Sequence, residues 1–202
     1  MKLYKNDLPD NVVFQDSVAI DTETMGLVTK RDRLCLVQMC SKNGQACAVQ
    51  ILKGQHDKAV NLKKLLENEK VQKIFHFARF DIEILNYTFG IRVNNIYCTK
   101  IASKLVRTYT DKHGLKNLCK DMLGVDLSKQ EQSSDWGRDT LTDDQLKYAA
   151  GDVLYLHQLR DKLDEMLQRE GLFELSRKCF DHLQLISDLD LRDICPEELF
   201  VH

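Results

Sequence analysis

No apolar run in this 202-residue chain approaches the roughly 20 residues that a membrane-spanning helix needs. The opening MKLYKNDLPD has neither an apolar core segment nor a small-residue cleavage site, so no secretory signal is expected. The seven cysteines form no CxxC pair, and Cys35, Cys40 and Cys47 show no zinc-ligand rhythm. An odd count without a framework reads as reduced thiols packed as small hydrophobes, and hence as a cytoplasmic location. Nor is there a basic excess: 29 Lys and Arg stand against 31 Asp and Glu, a net charge of −2. A protein gripping a long nucleic acid carries a basic footprint, because each phosphate contact needs a lysine or an arginine. A polyanionic ligand here must therefore be short or held locally. No internal repeat or low-complexity segment interrupts the chain. What remains is a composition of 43% apolar and 30% charged residues, ordinary for a soluble protein and enough for one sizeable domain.

Three β-rich segments come first: SVAIDTET, RLCLVQMC and QACAVQIL. Asn43-Gly44 between the last two is a hairpin signal, so the opening reads as an antiparallel meander. NLKKLLENEK then has helical spacing, with Leu62, Leu65 and Leu66 on one stripe. A short strand VQKIFHF, a helix ARFDIEILNYTFG closed by Gly90, and an extended NNIYCT follow. KIASKLVRTY and HGLKNLCKDMLG are helical in period. After a polar loop, one long helix is predicted from Thr142, its N-cap with Gln145 at capping-box spacing, to Gly171. A last helix, LFELSRKCFDHLQ, precedes a polar tail. Strands followed by a helix–strand–helix alternation imply an α/β fold, a mixed sheet flanked by helices, in one domain over residues 1–202.

In VAIDTETMGL, Asp21 and Glu23 lie two apart beside an apolar run. Side chains on a strand have a period of two, so both carboxylates share a face. Like charges held side by side in a fold are unfavourable unless a cation sits between them. Partners are available. Asp81 opens a helix directly after a strand, where sites gather in α/β sheets. Tyr148 and Asp152 are four apart on one helix face, and Ala149, Ala150 and Gly151 keep that helix thin for close packing on the sheet. Taken singly, Asp81 reads equally as a first-turn helix acid, Asp152 as a capping or ion-paired group, and Tyr148 as a core aromatic.

Asp21-x-Glu23, then Asp81, then Tyr148-x-x-x-Asp152 resembles the tyrosine-bearing branch of the DEDD exonuclease superfamily, whose fold is the ribonuclease H-like mixed sheet flanked by helices. The histidine-bearing branch would place a histidine five residues before the last aspartate, where this chain has Lys147. QSSDWGRDTLTDDQLKYAAGDVLYL is similar to ribonuclease D well beyond the acids, and the matches span residues 18 to 157. Two departures narrow the likeness. The chain leaves no room for the C-terminal helical RNA-binding domains of ribonuclease D, and RDTLT lacks the proline those enzymes often carry before Leu141. RDRLCLVQ, IFHFARFDI, CTKIASKLVRTYTDKHGLK and SKQEQSSDW look most like nanoRNase C, a family of single-domain enzymes that degrade dinucleotides and assemble as ring-like homo-oligomers.

That resemblance implies a 3′-5′ exoribonuclease releasing 5′-mononucleotides from very short RNA, with two Mg²⁺ or Mn²⁺ ions about 4 Å apart. By the same analogy Asp21 bridges the two metals, Glu23 and Asp152 hold one, Asp81 supports the other, and Tyr148 orients the attacking water. The substrate's 3′ end is expected at Thr22 and Glu23, and Gly26-Leu27 matches the place of a leucine wedge between bases, although Leu27 reads equally as closing the core under a turn. Phe77 is a candidate for base stacking and His76 for a polar contact, each with a core or structural role as the competing reading. Arg107, Lys112, His113 and Lys116 form a basic cluster suited to a 5′-phosphate, or equally a solvated helix face. The alternative substrate is the 3′ end of tRNA or another longer RNA, which a ribonuclease D-like enzyme trims. A non-catalytic domain on the same fold would have lost an acid or the tyrosine, and all five positions are intact.

Overall fold

The computed structural model describes residues 1–127, 131 and 133–199. Part of the SKQEQSSDW stretch (residues 128–130 and 132) and the last three residues lie outside them. Among the described residues six strands form one sheet: β1 (Lys2–Lys5), β2 (Ser17–Thr24), β3 (Leu34–Ser41), β4 (Ala46–Gln50), β5 (Gln72–Phe75) and β6 (Ile96–Cys98). Their order is β1-β4-β3-β2-β5-β6. β2, β3 and β4 form the antiparallel meander, while β5 and β6 run parallel to β2 and β1 runs parallel to β4. Gly44 takes the left-handed conformation that the β3–β4 hairpin requires, at φ +81°. Leu34 to Cys40 are buried without alternation, because β3 has neighbours on both edges and cover on both faces.

The helices are α1 (Val60–Glu67), α2 (Ala78–Phe89), α3 (Thr99–Val106), α4 (Leu115–Leu118), α5 (Asp143–Leu154), α6 (Leu156–Arg169), α7 (Phe173–Asp190) and α8 (Pro196–Leu199). α4 runs into one widened turn, Cys119–Leu123, which Gly124 ends at φ +71°. α2, α3, α6 and α7 pack with the sheet around the main core, which includes Ile20, Ile74, Ile82, Leu85, Leu159 and Leu163. A smaller cluster of Cys35, Leu36, Ala48, Trp136, Leu141 and Ala149 lies beneath α5.

Three elements differ from the sequence reading. β1 was not expected; its partner β4 is more than forty residues away, so no local turn announces it. The predicted long helix is two, parted at Tyr155 with no proline or glycine at the break. The division is tertiary: α5 lies across β2, β3 and β4, whereas α6 packs on α3, α7 and β5. The last helix continues to Asp190 because Ser187 still packs in the α2 interface, where Asn86 donates to its hydroxyl at 3.2 Å. The capping box is present at α5: Gln145 N–H donates to Thr142 Oγ1 at 3.1 Å and Thr142 N–H to Gln145 Oε1 at 2.9 Å. Among the described residues no helix is long and apolar enough to cross a membrane.

Candidate active site

β2 carries the first two acids out of the core on its C-terminal half. Asp21 and Glu23 face α5, where Asp152 meets them, and the three present carboxylate oxygens that all lie within 4.8 Å of one another. Ala149, fully buried one turn before Asp152, lets α5 lie close to the sheet. Asp81, in the first turn of α2, reaches β2 from the other side: the hydroxyl of Thr22 donates to its Oδ1 at 2.7 Å. Neighbouring residues of one strand thus serve opposite faces, Thr22 holding α2 and its flanking acids facing α5. Tyr148 turns its hydroxyl to Asp152 one helical turn away.

The acids lie deep enough and close enough together to raise one another's pKa values. Burial, and after it the charges of Asp81, Asp152 and Glu23, hold Asp21 well above the usual carboxyl range. Burial together with Asp152 and Asp81 pushes Glu23 up to about 9. Asp81 and Asp152 are each pushed up to about 7, burial again being the first cause. Burial and the neighbouring carboxylates also raise Tyr148. Groups that resist ionising together, all with hard oxygen donors, fit Mg²⁺ or Mn²⁺ rather than a softer metal. Asp21 has a further partner that sequence reasoning missed. Gln38, opposite it on β3 and fully buried, donates from Nε2 to Asp21 Oδ2 at 2.7 Å. A lone glutamine in the apolar run LCLVQMC was its signal.

The acids floor a cavity of about 830 Å³. Thr22, Gly26, Leu27, His76, Phe77 and Lys116 line it, as do Lys100 and Trp136, which were not singled out from the sequence. Leu27 is 82% exposed on the loop after β2, so it does not close a core there. A Cβ at Gly26 would stand 2.3 Å from Asp32 Oδ2, so the Asp32 carboxylate, which accepts from Val28 N–H, would have to move to admit one. Phe77 sits at φ +66°, an uncommon conformation for a bulky residue, and leaves its ring 49% exposed at the turn from β5 into α2. The Lys100 ammonium lies 3.8 Å from the centre of that ring. His76 Nδ1 is 2.9 Å from Thr99 Oγ1, and burial with Lys100 nearby pushes its pKa down to about 3.

The basic cluster does not converge as a set. Lys116 lines this cavity, but Arg107 is buried, donating to Asp121 Oδ2 at 2.6 Å and to the Lys112 carbonyl at 3.1 Å. His113 Nδ1 pairs with Ser103 Oγ at 2.9 Å, and neither His113 nor Lys112 reaches the cavity wall. An arginine in a helical run cannot be told from a ligand-binding one until its acceptors are known.

Four carboxylates and a tyrosine gathered at the end of the central strand of a mixed sheet are an arrangement of the metal-dependent nuclease type. A profile of the 3′-5′ exonuclease family matches residues 5–168, and the chain belongs to that family. It is 36% identical over 154 residues to ribonuclease D of Gluconacetobacter diazotrophicus, covering 76% of this chain and 38% of that protein. The chain thus spans well under half the length of that curated relative. The structure of Brucella melitensis NrnC bound to pGG superposes with a TM-score of 0.94 at 49% identity, covering 100% of this chain and 98% of that one. NrnC from the same organism with bound Mg²⁺ gives a TM-score of 0.93 at 48% identity over the same shares.

Proposed function

We propose that this protein is a divalent-metal-dependent 3′-5′ exoribonuclease that hydrolyses very short RNA, dinucleotides above all, to 5′-mononucleotides. The observation that carries the reading is the convergence of Asp21, Glu23, Asp81, Asp152 and Tyr148 on one cavity. A volume of about 830 Å³ and two lining lysines, Lys100 and Lys116, suit a small ligand better than a long polyanion. The likeness to an NrnC with pGG bound supports the same size of substrate.

The four acids would hold Mg²⁺ or Mn²⁺, which when bound supplies Lewis-acid stabilisation of the charge that develops on the phosphate oxygens. The chain's own residues do the rest. Gln38 fixes the plane of the Asp21 carboxylate, and Thr22 fixes that of Asp81. Tyr148, oriented by Asp152, positions the water for attack on phosphorus. Leu27 and the Phe77 ring stand at the lip as apolar contacts for the bases, with Thr22 and Glu23 at the 3′ end of the substrate.

We place the enzyme in the cytoplasm, in keeping with seven free thiols, and as a ring-like homo-oligomer of single exonuclease domains. The test is a time course on 5′-labelled RNAs of two, three, seven and about twenty nucleotides with Mg²⁺ or Mn²⁺, beside Asp21→Ala. Dinucleotide consumed far faster than the rest supports the proposal. Equal trimming of the long RNA would replace it with the ribonuclease D-like reading, and cleavage by the Asp21→Ala control would remove the assigned site.

A further inference from the structure

We propose that His76 is a specificity-determining residue, its Nε2 accepting a hydrogen bond from a ribose 2′-hydroxyl of the substrate. The inference rests on the nuclease reading of the same cavity. Thr99 is fully buried, and its hydroxyl has a single proton to donate. The Thr99 hydroxyl donates its one proton to the Phe75 carbonyl at 3.1 Å. The 2.9 Å contact between the same oxygen and His76 Nδ1 must then carry the imidazole proton. The ring is therefore the Nδ1–H tautomer, and Nε2 holds a bare lone pair.

That lone pair has a place to act. His76 lines the catalytic cavity, and among the described residues no donor meets its Nε2. The ring is held between the end of β5 and the start of α3 by the Thr99 relay, so its acceptor is aimed before a ligand arrives. Burial and the Lys100 ammonium keep the ring neutral, which leaves Nε2 an acceptor while Nδ1–H stays on Thr99. A bare lone pair repels phosphate oxygens and attracts a neutral donor. Nucleotides offer two kinds, sugar hydroxyls and base N–H groups. The next residue, Phe77, has the Lys100 ammonium over one face of its half-exposed ring and the other face to offer a base, so the position beside it meets the sugar. The 2′-hydroxyl is also the donor present whatever the base, and the one that separates RNA from DNA.

The test compares kcat/KM for a 5′-phosphorylated diribonucleotide and its 2′-deoxy counterpart within single preparations of wild type, His76→Asn and Thr99→Val. A ratio taken within one preparation does not depend on how much of a variant folds. Asparagine keeps a donor near the Nδ1 position and removes the Nε2 acceptor, while valine removes the group that sets the tautomer. Wild type is expected to favour the ribose substrate by about tenfold, the worth of one neutral hydrogen bond. Both variants should bring the ratio close to one by losing activity on the ribose substrate alone. An unchanged ratio, or a loss shared equally by both substrates, would overturn the assignment and leave His76 a structural residue. A loss seen with guanosine but not with inosine, which lacks the exocyclic amino group, would overturn it in favour of a base contact. Wild-type inactivity on every dinucleotide would instead overturn the functional reading, and this assignment with it.

Discussion

Replacing Asp152 with asparagine should make the metal-free protein more stable while abolishing its response to metal. The carboxyl of Asp152 keeps its proton to about pH 7 in the fold, against an ordinary 3.8. Between those two values the unfolded chain has released a proton that the native state still holds. Native protein therefore binds more protons across this window, stability falls as pH rises through it, and the loss persists above pH 7. Each pH unit is worth about 1.4 kcal/mol, so the burden approaches roughly 4 kcal/mol, and sharing among the four acids reduces it. Asparagine has the same shape and no charge, and its presence also relieves Glu23, for which Asp152 is the leading charged neighbour. At about 2–4 °C per kcal/mol for a chain of this size, half of that burden predicts a melting point roughly 4–8 °C above wild type in EDTA at pH 8. The gap should close as the pH approaches 4. Saturating Mn²⁺ should reverse the order, because wild type gains binding energy that the variant cannot. The assay is thermal unfolding in pH steps, with EDTA and with Mn²⁺. A gap that does not change with pH, or a variant less stable than wild type in EDTA at pH 8, would refute the reasoning.

Tyr148→Phe should lower kcat on a dinucleotide by about 10²-fold or more, with Mn²⁺ affinity by calorimetry close to wild type, since no metal-facing oxygen is removed. Phe77→Gly should raise the melting point, because glycine relieves a left-handed backbone worth about 1–2 kcal/mol, while raising KM for short RNA. Arg107→Met should destabilise by about 2–3 kcal/mol in urea unfolding and leave the KM of the folded fraction unchanged, as expected for a buried guanidinium that holds Asp121 and the Lys112 carbonyl.

The parts of the fold and site that were legible in the sequence are those written in local periodicity. Asp21 and Glu23 share a face because a strand repeats every two residues, and Tyr148 and Asp152 share one because a helix nearly repeats every four. The Asn43-Gly44 turn and the Thr142–Gln145 capping box are local chemistry, and both appear where expected. What was not legible depends on partners distant in sequence. β1 has four residues and no pattern of its own; its pairing with β4 makes it a strand. The break at Tyr155 follows from two surfaces, one under α5 and one under α6, that a single straight helix does not cover. Lys100 enters the cavity only because β6 ends two residues before it, and Arg107 leaves it because Asp121 waits on the next helical segment.

The placement of Thr22 between Asp21 and Glu23 makes metal affinity a measure of strand alignment. Thr22 ties α2 to one face of β2 while its two neighbours meet α5 on the other. A slip of β2 by one residue against β3 and β5 would exchange those faces, turning a hydroxyl toward the cation and the acids into the main core. No partly correct site lies between the two registers. Ion binding during refolding should therefore rise together with the locking of β2 between β3 and β5, and a titration with Mn²⁺ would count the molecules whose central strand has reached its native alignment.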